Sequence, residues 1–399
     1  MQSFAGGTGL GAQVRGLLYV AMALFVVTIA IGILNGLDVV EFNHDQLLTH
    51  VHSGTLGWVT ICLVAGSTWL FRGGDRRLAL ALGVLIPIYV VAFYLGNLPF
   101  RAICGTALLV AIVWLVVWAW QSYARLGTLP ALAVALGLAT FGYGAIIGVI
   151  LQVQMASGNQ VFPAGADVVG AHAGTMVFSY LILVAMGLIE WQIKGTTGRP
   201  VAGLVQLVAL FGGGALLAAV SLFAADQVEA IGGIYLLIEL IAIVLFAVRI
   251  LPAALRIDWV AASPGRHLAT SAVFVIVAMA AYIFLVISFL SDPSQDFDTF
   301  LPILTASDHA AFIGVVTNLV FALALKLTSD RRHDWAWADQ PVYLLMNGGL
   351  VIFIAGLVAQ VQVLKQIGAP AMGIGLLLGL AVLAMRLRAS DLATADARA

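Results

Sequence analysis

The chain has 399 residues, 62% of them hydrophobic and only 9% charged, and a net charge of −1. Soluble domains carry about 25% charged residues, so this chain cannot cover its surface in water, and much of that surface must face lipid. The near-neutral balance points to no nucleic acid partner. Cys62 and Cys104, far apart in apolar stretches, suggest no disulfide framework, and no Cys-x-x-Cys-His run occurs.

Apolar runs lie near 14–36, 50–71, 78–99, 102–121, 128–153, 168–192, 200–223, 229–252, 267–290, 302–326, 341–363 and 369–387. Each approaches the ~20 residues a helix needs to cross ~30 Å of hydrocarbon. Backbone groups in lipid must be satisfied internally, so these runs are helices. The expected fold is an all-α integral membrane protein with about twelve transmembrane helices. Residues 1–13 are Gly-rich and lack a signal-peptide pattern. They form a short cytoplasmic segment before a single membrane domain over 14–388, and 389–399 form a cytoplasmic tail.

Loop charges set the orientation. Asp38, Glu41 and Asp45 precede the second span, and Asp292, Asp296 and Asp298 follow the ninth. Basic residues cluster at the alternate loops: Arg72, Arg76 and Arg77; Lys194 and Arg199; Arg249, Arg256 and Arg266; Lys326, Arg331 and Arg332. With both termini cytoplasmic, all of the 18 Lys and Arg residues except Arg101 and Lys365 lie inside, as Lys/Arg bias requires.

The seven histidines divide into two groups. His44 falls in an outer acidic loop, and His267 and His333 fall at the inner face, where solvated or interfacial imidazoles are expected. His50 and His52 open the second span, His172 the sixth and His309 the tenth, all at similar depth toward the outer side. Histidines inside spans are rare and face the bundle interior or a cavity. The runs His52-Ser-Gly-Thr, His172-Ala-Gly-Thr and His309-Ala-Ala-Phe each put two small residues after the histidine, and four spans separate one from the next. That is the pattern of three copies of a four-helix unit, in a pseudo-threefold arrangement.

Four imidazoles at one depth suit haem iron, which takes a neutral imidazole nitrogen across a gap between helices. Ser53-Gly54, Ala173-Gly174 and Ala310-Ala311 leave room beside each ligand for a flat macrocycle. His50 and His52 point roughly 200° apart on a helix. They serve two sites on opposite sides of the second span, with His172 and His309 as partners. Asp308, beside His309, is either the group that orients that imidazole or a helix-terminal carboxylate. Glu239, inside the eighth span, needs a partner or a proton. Gln152, Gln154, Asn318, Asn347 and Gln360 are expected to bond between helices.

The segment His50-Val51-His52-Ser53-Gly54-Thr55-Leu56-Gly57-Trp58 resembles the His-Val-His-Ser-Gly-Ala-Leu-Gly-Trp run of C-type (cbb-type) haem-copper oxidase catalytic subunits, differing only at Thr55. That family has twelve spans in pseudo-threefold order, with ligands on the second, sixth, seventh and tenth. There the His-x-His lies on the tenth span, and here on the second, so the units correspond only with a shift of one. On that register, the resemblance implies that His50 ligates a high-spin haem, His52 and His172 a low-spin haem, and His309 occupies a copper-ligand position. The His-His pair that completes the family's copper site is missing: the eleventh span offers Tyr343, Met346 and Asn347. NnrS-type membrane haem proteins resemble the chain without a shift, through a His-x-His on the second span and a motif similar to Asp308-His309…Thr317-Asn318 on the tenth, although Ser53 stands where they carry Glu.

The expected cofactor is therefore one or two b-type haems held by His50, His52, His172 and His309, with copper or non-haem iron at His309 the weaker option. The expected function is electron transfer, or binding of NO or O2, in a bacterial-type cytoplasmic membrane, with a quinol or other redox partner and possible oligomerisation. A terminal oxidase or nitric oxide reductase is the alternative within the resemblance. A secondary transporter is the alternative outside it, since twelve spans also suit that class.

Overall fold

A computed structural model describes residues 7–195, 198–291, 297–390 and 392. Residues 1–6, the loop aspartates Asp292 and Asp296, and nearly all of the tail beyond Ser390 lie outside the described residues. Among the described residues the regular structure is entirely helical, and 12 helices are long and apolar enough to cross a membrane. They are α1 (Gly7–Gly36), α2 (His44–Leu70), α3 (Arg76–Tyr94), α4 (Leu98–Leu126), α5 (Leu129–Ser157), α6 (Val168–Lys194), α7 (Val201–Phe223), α8 (Val228–Ala254), α9 (Pro264–Ser291), α10 (Leu301–Leu327), α11 (Asp339–Val358) and α12 (Gln362–Ala389).

Local chemistry fixes several helix starts. Asn43 caps α2 with a capping box, its side chain accepting from Gln46 N while Gln46 Oε1 accepts from Asn43 N. Asp75, Asn97, Thr128 and Asp167 each accept a first-turn backbone N–H at the heads of α3, α4, α5 and α6. Apolarity alone placed the start of α2 too late. His44 is its first residue rather than a loop residue, so His50 and His52 lie well inside the helix. Likewise α1 begins at Gly7, within the segment expected to precede the membrane domain.

The helices form one bundle with α2, α6 and α10 in mutual contact at its centre. The others flank them largely in chain order, with α1 closing against α12. The three central helices share an irregularity that apolar periodicity does not show. Each widens into a π-helical segment: Ser53–Thr60 in α2, Thr175–Leu181 in α6 and Ala310–Thr317 in α10. Such segments re-aim side chains and occur frequently at functional sites. Side-chain donors satisfy carbonyls within them: Thr60 Oγ1 donates to Thr55 O at 2.9 Å, and Thr317 Oγ1 to Phe312 O at 2.8 Å.

Counting from the π segments gives the register of the pseudo-threefold. Three residues ahead of each stand His50, His172 and Ser307. Each bonds a carbonyl of the preceding helix: His50 Nδ1 to Thr28 O at 2.9 Å, His172 Nδ1 to Gly144 O at 2.8 Å and Ser307 Oγ to Ala278 O at 2.9 Å. One residue ahead stand His52, Gly174 and His309. His172 is thus the counterpart of His50, and His309 of His52. The runs after His52, His172 and His309, alike in sequence, therefore do not occupy equivalent places in the fold: His172 stands three residues ahead of its π segment, and His52 and His309 one.

Deeper in the core the same order recurs. Trp58, stacked on Phe25 with centroids 4.4 Å apart, donates to Thr317 Oγ1 at 2.8 Å. Its counterpart Tyr180, stacked on Phe141 at 4.5 Å, donates to Thr60 Oγ1 at 3.0 Å. The third copy has Val315 and Ile182 at these places, where no such hydrogen bond is possible between side chains.

Candidate functional site: a cavity lined by four histidines

The described residues line a cavity of about 520 Å³ reached by α1 to α6 and α10 to α12, and it carries all four of His50, His52, His172 and His309. His50 sits against α1 and His309 against α11, while His52 sits against α3 and His172 against α5. All four histidines are half-buried, with the cavity as their open side. His309 interacts electrostatically with His50, and His52 with His172. The two imidazoles of the His-x-His thus sit against different neighbouring helices, His50 against α1 and His52 against α3.

Every one of these imidazoles has its Nδ1 tied to a backbone carbonyl. His50 and His172 use the preceding helix, while His52 bonds Leu48 O and His309 bonds Thr305 O, each at 2.8 Å one turn back on its own helix. A carbonyl accepts only, so Nδ1 carries the proton in the neutral ring and Nε2 keeps its lone pair. Among the described residues no Nε2 of the four makes a hydrogen bond. This is the tautomer and orientation that a metal-ligating histidine takes, the carbonyl serving as the partner of the non-ligating nitrogen.

Two glycines make this posture possible. A Cβ on Gly32 would stand 3.0 Å from His50 Cε1, and one on Gly148 would stand 2.6 Å from His172 Cε1. The rings lie flat along the neighbouring helix only because those positions are glycine. The small residues after each histidine contribute less than their sequence suggests. Gly54 and Ala173 line the cavity, whereas Ala310 and Ala311 are packed into the core. His52 stacks on Phe93 at 3.7 Å and meets Tyr89 edge-on, while His309 meets Phe353 at 4.9 Å. Arg101 covers the far face of Phe93 at 4.4 Å and pairs with Asp45 at 2.7 Å.

Asp308 lines the cavity, but it does not orient His309, whose Nδ1 belongs to Thr305 O. Neither does it cap α10, which begins at Leu301. Its Oδ1 is buried without a hydrogen-bond partner among the described residues. No group of three or more His, Cys, Asp or Glu among those residues is gathered so as to hold a metal ion. The arrangement offers pairs of imidazoles across an apolar gap, which is what a haem iron needs from a protein.

His267 departs from expectation. It is 2% exposed, not solvated, and its Nδ1 bonds Asn318 Oδ1 at 2.9 Å. Asn318 Nδ2 in turn donates to Asn347 Oδ1 at 2.8 Å and to Gly314 O at 3.1 Å, inside the π segment of α10. The paired Asn318 and Asn347 do join helices as expected. Gln154 instead bonds the following loop, accepting from Val161 N at 3.0 Å.

Compared with protein-family models and with curated proteins, the chain matches none.

Proposed function

We propose that the protein is a membrane haem protein in which His52 and His172 hold one b-type haem and His50 and His309 hold another. The observation that carries this reading is the common state of the four imidazoles: Nδ1 bound to a carbonyl and Nε2 directed to a shared, largely apolar cavity. Bound haem would supply a one-electron couple. The chain's own residues orient the ligands, keep their Nε2 lone pairs free and exclude water through Phe25, Trp58, Phe93 and Phe353. With two imidazoles holding each haem, the group would supply electron transfer rather than gas binding. Handling of O2 or NO would require one ligand to leave.

Catalytic reduction of O2 or NO needs a further metal beside an open haem. Once paired, the four histidines of the cavity lining leave no further imidazole for it, so we put electron transfer ahead of an oxidase or reductase role. The resemblance of His50–Trp58 to the haem-copper oxidases supports haem and the cytoplasmic membrane of a bacterium. The Lys/Arg distribution supports an outer-side position for the histidine end of the bundle.

The test is the visible spectrum and iron content of the protein purified from cells supplied with haem. The reading requires a Soret band and at least one haem per chain. A colourless, iron-free protein in which the four single histidine-to-alanine variants behave as wild type in every assay would refute it.

A further inference from the structure

Arg101, in the first turn of α4, is 1% exposed and lies at the histidine end of the bundle. Burying a guanidinium is costly unless it is paired and fully hydrogen-bonded. Its Nη2 donates to Asp45 Oδ1 at 2.7 Å and to Phe93 O at 3.2 Å, but its Nε is buried with no hydrogen-bond partner among the described residues. The Asp45 side chain, in turn, is 39% exposed. An ion pair so incompletely satisfied is a weak source of stability. Its placement beside His52 gives it a different use.

Asp45 and His52 lie two turns apart on one face of α2. Phe93 from α3 stacks on the His52 imidazole, with centroids 3.7 Å apart and planes at 17°. The Arg101 guanidinium lies over the opposite face of that ring, 4.4 Å from its centroid. Since the same guanidinium also bonds the Phe93 carbonyl, one side chain holds both the ring and the backbone of Phe93. Gly96 makes room for the arrangement: its φ is +64°, and a Cβ there would stand 2.6 Å from Asp45 Oδ2. His309 has an aromatic neighbour of another kind. Phe353 meets it at 61°, and among the described residues no Arg or Lys lies over the Phe353 ring. A cation attracts the ring face it covers, which fixes the plane of Phe93 and, through the stack, that of His52. Away from water its charge is screened less, and a positive charge beside an iron ligand favours the reduced metal.

We propose that Arg101 is a positioning residue for His52: through Phe93 it fixes the plane of that imidazole, and its charge raises the reduction potential of the haem that His52 holds. The inference rests on the haem reading and deepens it, since it says which of the two sites carries a built-in cation.

Redox titration of the full-length protein in lipid nanodiscs, followed by visible and low-temperature magnetic resonance spectra, tests it. The signal lost in His52→Ala identifies the haem concerned. In Arg101→Gln its reduction equilibrium should move about 10-fold toward the oxidised form, about 59 mV for one electron, and its g-values should shift. Arg101→Lys keeps the charge without the planar fork, so it should return most of the potential while the g-values stay displaced. Asp45→Asn removes the opposing charge and should move the potential the other way. The signal that depends on His50 should hold still in all three. Simple loosening of the packing would not give opposite signs in Arg101→Gln and Asp45→Asn. If Arg101→Gln does not fold, the other two variants decide. A protein that keeps its Soret band but shows unmoved potentials, or shifts of one sign only, overturns this inference alone. A protein without a Soret band overturns the haem reading and this inference with it.

Discussion

Gly148→Ala isolates the posture of one ligand without deleting it. The added Cβ would lie 2.6 Å from His172 Cε1 and 2.8 Å from Nδ1, closer than any real contact, so the ring must swing away from α5. That movement breaks the Nδ1 bond to Gly144 O, worth about 1 kcal/mol, and drives χ1 or χ2 off its well at about another 1 kcal/mol. The site therefore loses about 2 kcal/mol, or about 30-fold in occupancy of the ligating geometry. Helix propensity works the other way, favouring Ala over Gly by about 1 kcal/mol, so overall stability changes little. Purified Gly148→Ala should melt near the wild type while its haem content falls or its low-spin spectrum changes. Gly32→Ala, with its nearest contact at 3.0 Å, should show the same effect more weakly, through His50. Gly212→Ala, where nothing lies within 4 Å, should show none. A wild-type spectrum in Gly148→Ala would refute the argument that this glycine sets the His172 orientation.

Ser307→Ala removes the bond to Ala278 O at the third copy's ligand position and should leave the haem spectrum unchanged, whereas His172→Ala at the equivalent position should not; an altered spectrum in Ser307→Ala would break the assignment of the third copy. Asn318→Ala strands His267 Nδ1 and the Gly314 carbonyl in the core. Thermal unfolding in detergent should show a loss of about 3 kcal/mol, and an unchanged midpoint would mean water replaces the amide. Tyr180→Phe takes one buried hydrogen bond from Thr60 and should cost about 1 kcal/mol in the same assay, with no spectral change.

The membrane architecture was legible because lipid imposes one rule on every span: long apolar runs with charges banished to the loops. Twelve runs therefore gave twelve helices. The ends were less legible, because polar caps such as Asn43 extend a helix beyond its apolar stretch and carry His44 with them. The four cavity histidines were visible as ionisable groups at one depth in spans that otherwise exclude them. Their register was not. It depends on π segments, which leave no periodic mark in the sequence, and on partners in other helices, such as the carbonyls of Thr28 and Gly144. Gly32 and Gly148 were hidden among 42 glycines, since nothing local separates a glycine facing an imidazole from one facing lipid. His267 was misplaced because a span end in sequence is not a span end in space: its helix begins at Pro264, yet α10 and α11 cover that first turn. Glu239 was noticeable as a charge in an apolar span, but its burial depends on neighbouring helices, such as the one that brings Gly213 against its carboxyl.

The measurement that bears most directly on the central claim is low-temperature magnetic resonance and visible spectroscopy of the four single variants His50→Ala, His52→Ala, His172→Ala and His309→Ala. The proposed pairing of His52 with His172 and of His50 with His309 predicts two separable low-spin signals, with His52→Ala and His172→Ala abolishing the same one and His50→Ala and His309→Ala the other. Signals that pair His50 with His52, or that survive all four substitutions, would contradict it.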